Sequence, residues 1–231
     1  MLKFCCDTLG NHNVLAVIGS AEYMLADEIG FAKRLCEEIG VHFVLADVSI
    51  AEIIEKNPPD RCYLCKRKIF QQAIQIASTY GISNVVDGTN YDDLKENRLG
   101  LIAKKQLGIG SPFADCEIGK DSVRALAKEL SLAECINKTS ATCLMTRFAV
   151  GAHATKQDFA DIEKAEAFIK SLGFNLVRVR LRDNVMIIEV ERSQLPKLTS
   201  CENMTILKDY FVKEIKKDFK ISQDGYKLGF V

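Results

Sequence analysis

Short apolar runs alternate with longer amphipathic stretches through the first two thirds of the chain. The runs at residues 14–18, 42–48 and 84–87 are typical of buried strands, since each is short and is followed by glycine or serine. The amphipathic stretches predict helices at residues 25–39, 50–55, 62–80, 93–107 and 120–130. Strands that alternate with helices predict an α/β fold, in which a parallel sheet is covered by helices on both faces.

The pattern changes after Gly151, where an amphipathic helix is followed by segments that alternate polar and apolar residues. The predicted elements are a helix at residues 156–172, strands at 176–181 and 185–191, a helix at 204–219 and a strand at 225–231. A polar turn at residues 182–184 separates the two alternating strands and predicts a β-hairpin. The chain is therefore predicted to contain an α/β domain at residues 1–152 and a small α+β domain at residues 153–231.

Charge and composition narrow the classes of function. Lysine plus arginine equals aspartate plus glutamate at 31 each, which argues against a general nucleic-acid or anionic-membrane surface. No apolar run reaches the roughly 20 residues that a membrane-spanning helix needs, and the first residues lack a signal-peptide pattern. We therefore expect a cytoplasmic protein. Nine cysteines are many for that compartment, where clustered thiols more often bind metal or perform chemistry.

The strongest chemical signal is the segment NPPDRCYLCK. Its prolines force an extended entry, and Asp60 is expected to cap the helix that follows. Cys62 and Cys65 then lie at i and i+3 on one face of the first turn. The helix N-terminus, Arg61 and Lys66 favour the thiolate form, which binds metal or attacks electrophiles. The alternatives are two packed core thiols or a thioredoxin-like redox pair, although the redox motif normally follows a strand directly.

The remaining cysteines are dispersed, and no second CxxC or CxxH pair completes a zinc site. Cys36 lies on an apolar helical stripe and is predicted to be part of the core. Cys143 differs, because it lies in a polar segment with Arg147 four residues further on. Three thiolates from Cys62, Cys65 and Cys143 would suit an iron–sulfur cubane that keeps one iron open.

Polar residues also follow the third predicted strand. Asp87, Gly88, Thr89 and Asn90 close this strand, at the edge where open α/β sheets bind nucleotides. Many ordinary strand-to-helix turns have the same composition, so the signal alone is weak. Arg98 marks the next loop.

Three arginines recur at alternate positions in the second predicted domain. Arg178, Arg180 and Arg182 therefore lie on one face of a predicted strand, and Glu189 lies on the return strand. Aligned guanidiniums can bind phosphate or carboxylate groups. The alternative is a solvated strand face with cross-strand ion pairs.

Taken together, these segments resemble the LarE family of ATP-dependent sacrificial sulfur transferases, which belong to the PP-loop pyrophosphatase superfamily. The resemblance covers nearly the whole chain. It is carried by residues 57–66, 87–93, 98–100, 111–112, 143–147, 165–166, 178–180 and 225–226. It implies a fold like that of the adenine nucleotide alpha hydrolases and a homo-oligomer, for which the family's hexamer is the expectation.

The resemblance also implies an activity. The family uses ATP and Mg²⁺ to adenylylate a carboxylate of a pyridinium mononucleotide, a precursor of the nickel-pincer cofactor, and converts it to a thiocarboxylate. In one version of the family, a single cysteine at the position of Cys143 gives up its own sulfur. In the other version, three cysteines hold a [4Fe-4S] cluster that receives sulfide from a donor and delivers it. Cys62, Cys65 and Cys143 match the three-cysteine version.

The remaining site residues also follow from the resemblance. Those that match substrate or phosphate positions are Thr146, Arg147, Glu166, Arg178 and Arg180, to which Glu189 on the return strand is added. ATP is expected to bind at residues 87–90 and at Arg98. Thr146 stands where the family has serine, which keeps the hydroxyl group, and Leu99 replaces the usual proline.

One departure from the family concerns ATP. The family begins with a strand and a glycine-rich SGGxDS loop whose backbone amides hold the ATP phosphates, and residues 1–231 contain no such loop. A truncated reading frame, a missing upstream segment or a decayed paralogue would produce this, and the chain by itself is expected not to form the adenylylated intermediate. The rival hypotheses are a non-catalytic iron–sulfur or zinc-binding protein and another PP-loop enzyme such as a tRNA thiolase, against which the balanced charge argues.

Overall fold

The computed structural model describes residues 1–95, 99–136 and 141–226. In chain order its helices and strands are α1 (Leu2–Leu9), β1 (Leu15–Ser20), α2 (Ala26–Ile39), β2 (His42–Asp47), α3 (Ala51–Lys56), α4 (Arg61–Thr79), α5 (Leu99–Gln106), α6 (Pro112–Asp115), α7 (Lys120–Glu129), α8 (Ala133–Ile136), α9 (Lys156–Ser171), β3 (Val177–Arg182), β4 (Val185–Val190), α10 (Leu195–Leu198), α11 (Cys201–Tyr210) and β5 (Phe219–Ile221). Short 3₁₀ helices occur at Asn11–Asn13, Asp92–Lys95, Leu144–Arg147 and Arg192–Gln194. In the part of the chain that is described, no helix is long and apolar enough to cross a membrane.

The chain forms two compact units. Unit 1 comprises Met1–Ile50 and Asp60–Ala141, and unit 2 comprises Ala51–Pro59 and Thr142–Val231. The sequence placed a domain boundary between residues 152 and 153, whereas here the chain passes from unit 1 to unit 2 at Ala141/Thr142. Unit 2 also takes in α3, which lies early in the sequence.

Unit 1 is built on a parallel pair of strands. β1 pairs with β2 in a continuous register from Leu15–His42 to Ser20–Asp47. The third predicted strand, at residues 84–87, is present as a single parallel bridge between Val86 and Gly110. The mixed α/β class is therefore confirmed, whereas a wider parallel sheet with helices on both faces stays a prediction.

Helix α2 shows how local sequence sets the bounds of an element in unit 1. Gly40 ends this helix in a left-handed conformation with φ of 72°, and its N–H donates to the Cys36 and Glu37 carbonyls. Cys36 is buried in a small cluster with Cys6, Ala16 and Val41. The prediction that Cys36 is a core residue is confirmed.

Helix α4 begins as expected but without the predicted cap. Asp60 precedes it and makes no side-chain hydrogen bond to the first turn. A capping side chain needs an extended backbone to turn its oxygen toward the free N–H groups, and Asp60 has φ of −92° and ψ of 12°. Tyr63 N and Leu64 N instead donate to the Asp60 backbone carbonyl. The prediction of an Asp60 side-chain cap is wrong.

The predicted helix at residues 93–107 is divided. Its first part is the 3₁₀ helix Asp92–Lys95 and its second part is α5, while residues 96–98 lie outside the described part of the chain. The start is fixed by Asn90, whose side-chain oxygen accepts from Asp92 N at 3.0 Å and Asp93 N at 3.1 Å. Asn90 N donates in return to Asp93 Oδ2 at 3.1 Å, so the two residues cap each other.

Unit 2 is organised by α9 and a β-hairpin. A capping box starts α9, in which Asp158 N donates to Thr155 Oγ1 and Thr155 N donates to Asp158 Oδ2. β3 and β4 pair antiparallel around Asp183 and Asn184, whose φ values are 48° and 62°. Two left-handed residues in a two-residue loop match the twist of the flanking strands. The predicted hairpin is confirmed.

The end of unit 2 differs from the prediction of one helix at residues 204–219. α11 ends at Tyr210, a π-helical turn spans Phe211–Ile215, and Lys216 adopts a left-handed conformation that stops it. β5 then pairs parallel with β4, Phe219 opposite Met186. The Phe219 ring lies 4.5 Å from the Phe211 ring, so burial of this aromatic side chain favours the strand over a longer helix.

A last strand was also predicted at residues 225–231. Gly225 and Tyr226 are not part of a strand, and the other five residues lie outside the described part of the chain.

Candidate functional site

The segment around Cys143 is a tight turn of unit 2. Cys143 is half-buried and directly precedes the 3₁₀ helix Leu144–Arg147. Its carbonyl accepts from Thr146 N at 3.1 Å and from Thr146 Oγ1 at 2.8 Å. Leu144 and Met145 have no exposed surface. The turn is therefore anchored in the core, while the cysteine remains at its partly exposed start.

Arg147 joins this turn to the rest of unit 2. Its Nη1 donates to Thr142 Oγ1 at 2.7 Å, Thr146 Oγ1 at 2.9 Å, Thr142 O at 3.1 Å and Cys143 O at 3.3 Å. Its Nε and Nη2 donate to the two carboxylate oxygens of Glu166, at 2.9 and 3.1 Å. The guanidinium thus forms a bidentate ion pair on one side and binds the cysteine-bearing backbone on the other.

Glu166 completes this buried pair. It lies on α9, and its Oε1 also accepts from Val179 N of β3 at 3.0 Å. Both partners of the pair are almost completely buried. Two charges removed from water are stable only when their hydrogen-bonding capacity is well used, as it is here. Glu166 therefore connects α9, β3 and the Cys143 segment.

The arginines of β3 also reach this segment. Arg180 Nε donates to Glu189 Oε1 at 2.8 Å, and Arg180 Nη1 donates to Thr146 O at 2.9 Å. Arg182 Nη1 donates to Arg147 O at 2.6 Å. The cross-strand ion pair that the sequence offered as an alternative is present, and it is diagonal, because Glu189 lies opposite Arg178 in the strand register. The arginine face and the cysteine turn form one connected site.

Arg178, the first arginine of β3, has few internal partners. Its Nη1 donates to the Val177 carbonyl at 2.8 Å, and its guanidinium lies 5.5 Å from the centre of the Tyr226 ring. Burial and repulsion from Arg147 lower the pKa of Arg178. Within residues 1–95, 99–136 and 141–226, it forms no ion pair. A half-buried guanidinium held by an aromatic ring is a suitable anchor for an anion.

The CxxC cysteines belong to unit 1. Cys62 is exposed and Cys65 is half-buried, neither is part of a disulfide within the described residues, and both lie at the start of α4. The backbone of α5 packs closely on this turn at Gly100. A Cβ at Gly100 would lie 3.0 Å from Lys66 Cγ, so a larger residue there would have to displace the Lys66 side chain.

The loop after the predicted third strand holds an internal polar network. Asp87 Oδ1 accepts from Ser111 Oγ at 2.5 Å and from Thr89 N at 3.1 Å, and its Oδ2 accepts from Thr89 Oγ1 at 2.6 Å. Lys104 Nζ donates to Ser111 Oγ and lies 3.9 Å from Asp87. The chain itself therefore uses both carboxylate oxygens of Asp87, which holds this loop in shape.

Sequence reasoning missed Lys104 and Ser111 as members of this network. The available signal was position, because Lys104 lies three residues after Leu101 and three before Leu107, on the apolar stripe of α5. Arg98, predicted to bind the nucleotide, lies outside the described residues, and Gly88 is part of the loop without a side chain to assign.

Cluster binding by three cysteines needs all three thiols at one place. Across residues 1–95, 99–136 and 141–226, no group of three His, Cys, Asp or Glu side chains is placed to hold a metal ion. Cys62 and Cys65 lie in unit 1 and Cys143 lies in unit 2. The thiol chemistry of the three cysteines suits an iron–sulfur cluster, which stays a prediction.

Comparison with known proteins identifies the family. No family model matches the chain. It is 33% identical over 197 residues to the pyridinium-3,5-bisthiocarboxylic acid mononucleotide synthase of Lactiplantibacillus plantarum, an alignment that covers 84% of this chain and 71% of that enzyme. The chain belongs to the family of this synthase. This is the LarE family to which the sequence segments pointed.

Two uncharacterized proteins are further relatives of this LarE-family chain. One, from Methanocaldococcus jannaschii, is 42% identical over 171 residues, or 73% of this chain and 66% of the relative. The other, from Synechocystis, is 32% identical over 195 residues, or 84% of this chain and 72% of the relative. The chain thus spans about two thirds of the length of the relatives it matches.

Proposed function

We propose that this LarE-family chain is a sulfur transferase that converts an activated carboxylate of a pyridinium mononucleotide to a thiocarboxylate, in nickel-pincer cofactor synthesis. The observation that carries the proposal is the direct bonding of the arginine face of β3 to the turn that bears Cys143. Sulfur transfer to an anionic substrate needs a sulfur-bearing thiol next to groups that bind the anion. The printed name of the Lactiplantibacillus relative supplies the substrate class.

Substrate binding is assigned to the arginine face. Arg178 is the free anchor for the phosphate, since Arg147 and Arg180 are already neutralised by Glu166 and Glu189. The Thr146 hydroxyl donates to the Cys143 carbonyl and accepts from Arg147 Nη1, so we assign it to holding this turn in shape. The internal bonds of Arg147 and Arg180 fix the turn, so that the thiol and the anion site keep one geometry.

Three cysteines are proposed to carry the sulfur. Cys62, Cys65 and Cys143 would hold a [4Fe-4S] cluster, whose open iron would carry the sulfide supplied by a donor. The role of the chain is to supply three thiolates, and Cys62 and Cys65 do so from one helix turn.

Anaerobic purification and metal analysis test this assignment. The protein should contain about four irons with matching sulfide, the number expected for a cubane. Cys62→Ser and Cys143→Ser should lose the iron and the thiocarboxylate product, while Cys201→Ser is the matched control because Cys201 is an exposed free thiol outside these segments. Stoichiometric zinc without iron would instead support the non-catalytic metal-binding alternative.

A second candidate is transfer of the cysteine's own sulfur from Cys143. It is favoured by the bonding of Arg147, Arg180 and Arg182 to the turn that bears Cys143, all within unit 2. In that case Cys62→Ser keeps a single turnover, and mass spectrometry of the Cys143 peptide shows loss of sulfur after reaction with the activated substrate. Catalytic turnover with intact Cys143 would reject this candidate.

Activation by ATP and Mg²⁺ is also proposed from the family. The loop with Asp87 and Thr89 is the candidate nucleotide contact, through its backbone and through Gly88, since the Asp87 carboxylate is already occupied. A polypeptide of residues 1–231 should release little pyrophosphate from ATP, and a strand and SGGxDS loop fused ahead of Met1 should restore the release. Brisk substrate-dependent release by residues 1–231 alone would place the nucleotide site elsewhere.

Assembly is a separate proposal. We expect a homo-oligomer, as the family resemblance implies, and light scattering of the purified protein measures its mass directly.

A further inference from the structure

Asn57 combines two energetic costs in one residue. Its side chain has no exposed surface, and its backbone has φ of 37°, in the left-handed region that non-glycine residues seldom adopt. Its side-chain Oδ1 is buried without a hydrogen-bond partner. Strained and unsatisfied residues persist only where their surroundings fix them, and they concentrate at functional sites.

The hydrogen bonds of the Asn57 side-chain nitrogen explain how its amide group is oriented. Asn57 Nδ2 donates to three carbonyls, those of Ala149 at 2.8 Å, Met145 at 3.2 Å and Phe148 at 3.4 Å. Two of these carbonyls also accept backbone hydrogen bonds, Met145 O from Phe148 N at 3.2 Å and Ala149 O from Ala152 N at 3.1 Å, so the Asn57 amide braces the two successive turns that follow Cys143. An amide turned toward three acceptors leaves its own oxygen without a donor.

The backbone around Asn57 strengthens this brace. Asn57 N donates to the Ile53 carbonyl at 3.0 Å, which ends α3, and Gly151 N donates to the Asn57 carbonyl at 3.2 Å. Ala154 N donates to the Ile54 carbonyl at 2.9 Å. The C-terminal end of α3 therefore holds the chain on both sides of its passage from the Cys143 turn to α9.

Arg147 transmits this constraint to the cysteine. It lies in sequence between Met145 and Phe148, whose carbonyls Asn57 binds, and its Nη1 donates to the Cys143 carbonyl at 3.3 Å. A shift of the turn would therefore move the guanidinium and the residue that carries the thiol together. The partners are 88 to 92 residues apart in sequence, so nothing local replaces this contact.

We propose that Asn57 is a positioning residue, which fixes the turn from Cys143 to Arg147 so that the Cys143 thiol keeps its place beside the arginine face. This role deepens the proposed function. The expected change in turnover rests on the proposed function, whereas the expected change in Cys143 alkylation does not.

The test compares Asn57→Gly, Asn57→Asp and Asn184→Gly with the parent protein. Asn57→Gly keeps access to a positive φ and removes the amide, and Asn57→Asp keeps the shape but turns an oxygen toward the carbonyls. Asn184→Gly is the matched control, because Asn184 is an exposed left-handed asparagine in the hairpin turn. The alkylation rate of Cys143 is followed across pH by peptide mass spectrometry, and kcat and KM are measured for thiocarboxylate formation.

Both Asn57 variants should lower kcat by about 10- to 100-fold, the scale of loss that misplaced reacting groups cause, with little change in KM. Their Cys143 should be alkylated faster than in the parent, because the turn is less constrained, and Asn184→Gly should match the parent in every readout. An unchanged Cys143 alkylation profile in the folded variants would overturn the proposal. Loss of cooperative melting in both Asn57 variants would also count against the proposal, because a purely structural role of Asn57 would then explain the loss of activity. A parent without turnover would refute the proposed function and leave the alkylation comparison to decide on Asn57.

Discussion

In unit 2 the strands β3 and β4 contribute side chains to a buried core, where Val179 and Ile188 have no exposed surface, whereas in unit 1 the strand β2 leaves Leu45 44% exposed. The difference in exposure of apolar side chains between the two units holds across the described residues. Most of the large apolar side chains that remain exposed, including Ile74, Val86 and Ile102, belong to unit 1. An antiparallel hairpin with one buried face is strongly specified, and a two-stranded parallel sheet is not.

The ion pairs differ in degree. Unit 2 buries the Arg147–Glu166 pair almost completely, with both carboxylate oxygens bonded. Among the described residues of unit 1, the Lys104–Asp87 pair is about as enclosed as Arg180–Glu189 in unit 2, and the Arg124–Asp121 pair is exposed to solvent. We infer that unit 2 is the rigid frame that fixes the candidate site, and that the stability of the chain is concentrated there.

The largest expected effect comes from breaking the buried pair of unit 2. Glu166→Gln leaves the Arg147 guanidinium buried without a counter-charge, which should lower the free energy of unfolding by about 3–5 kcal/mol. The double variant Arg147→Met/Glu166→Gln should recover part of that loss, because no unpaired charge remains. Asp121→Asn in unit 1 should cause no measurable change. Urea unfolding measures the stability of all three variants. Equal losses of stability in Glu166→Gln and Asp121→Asn would show that these two ion pairs do not differ in their contribution to stability.

The next effect compares one apolar strand residue from each unit. Ile188→Ala should cost about 2–5 kcal/mol, since it opens a cavity in a fully enclosed core. Leu45→Ala should cost less than about 1 kcal/mol, because nearly half of this side chain already faces solvent. Hydrogen exchange should likewise be slower in β3 and β4 than in β1 and β2. A larger cost at Leu45 would show that unit 1 carries the stability.

Removal of the free anion anchor should weaken substrate binding by a smaller amount. Arg178→Ala should reduce the affinity for the pyridinium mononucleotide by about 1.5–3 kcal/mol, the worth of a charge-assisted hydrogen bond. Arg180→Ala should weaken binding too, and it should also destabilise unit 2, because Glu189 loses its partner. Calorimetric titration of each variant with the pyridinium mononucleotide measures the affinity, and Arg124→Ala is the control. Unchanged affinity in both variants would leave these arginines as structural residues.

The smallest effect concerns helix starts. Thr155→Ala removes a complete capping box and should cost about 0.5–2 kcal/mol. Asp60→Ala removes a side chain that makes no capping bond, so its cost should stay below about 0.5 kcal/mol. Thermal melting of the two variants measures both costs. A larger loss of stability in Asp60→Ala than in Thr155→Ala would show that Asp60, and not Thr155, caps its helix.

Rules for helix capping and turn formation predicted the helices and strands whose ends depend on residues nearby in the sequence. The helix of unit 2 that begins after Thr155 and the hairpin at Asp183 and Asn184 were both predicted, since capping and turn chemistry act within a few residues. The Asp60 cap failed because side-chain capping depends on the backbone angles of Asp60 itself, which the two preceding prolines do not determine. The helix predicted through Phe219 failed because a ring contact with Phe211 favours a strand.

The sequence by itself determined that Arg178, Arg180 and Arg182 share one face and that Cys62 and Cys65 share one helix turn, because the periods of strands and helices are fixed by backbone geometry. The tertiary structure alone decided that Glu166 pairs with Arg147, that Arg180 binds the Thr146 carbonyl, and that Asn57 holds the turn after Cys143. These partners are 19 to 92 residues apart. Which distant donor meets which acceptor depends on how helices and strands pack, since most buried polar groups find their partners within the space that packing leaves.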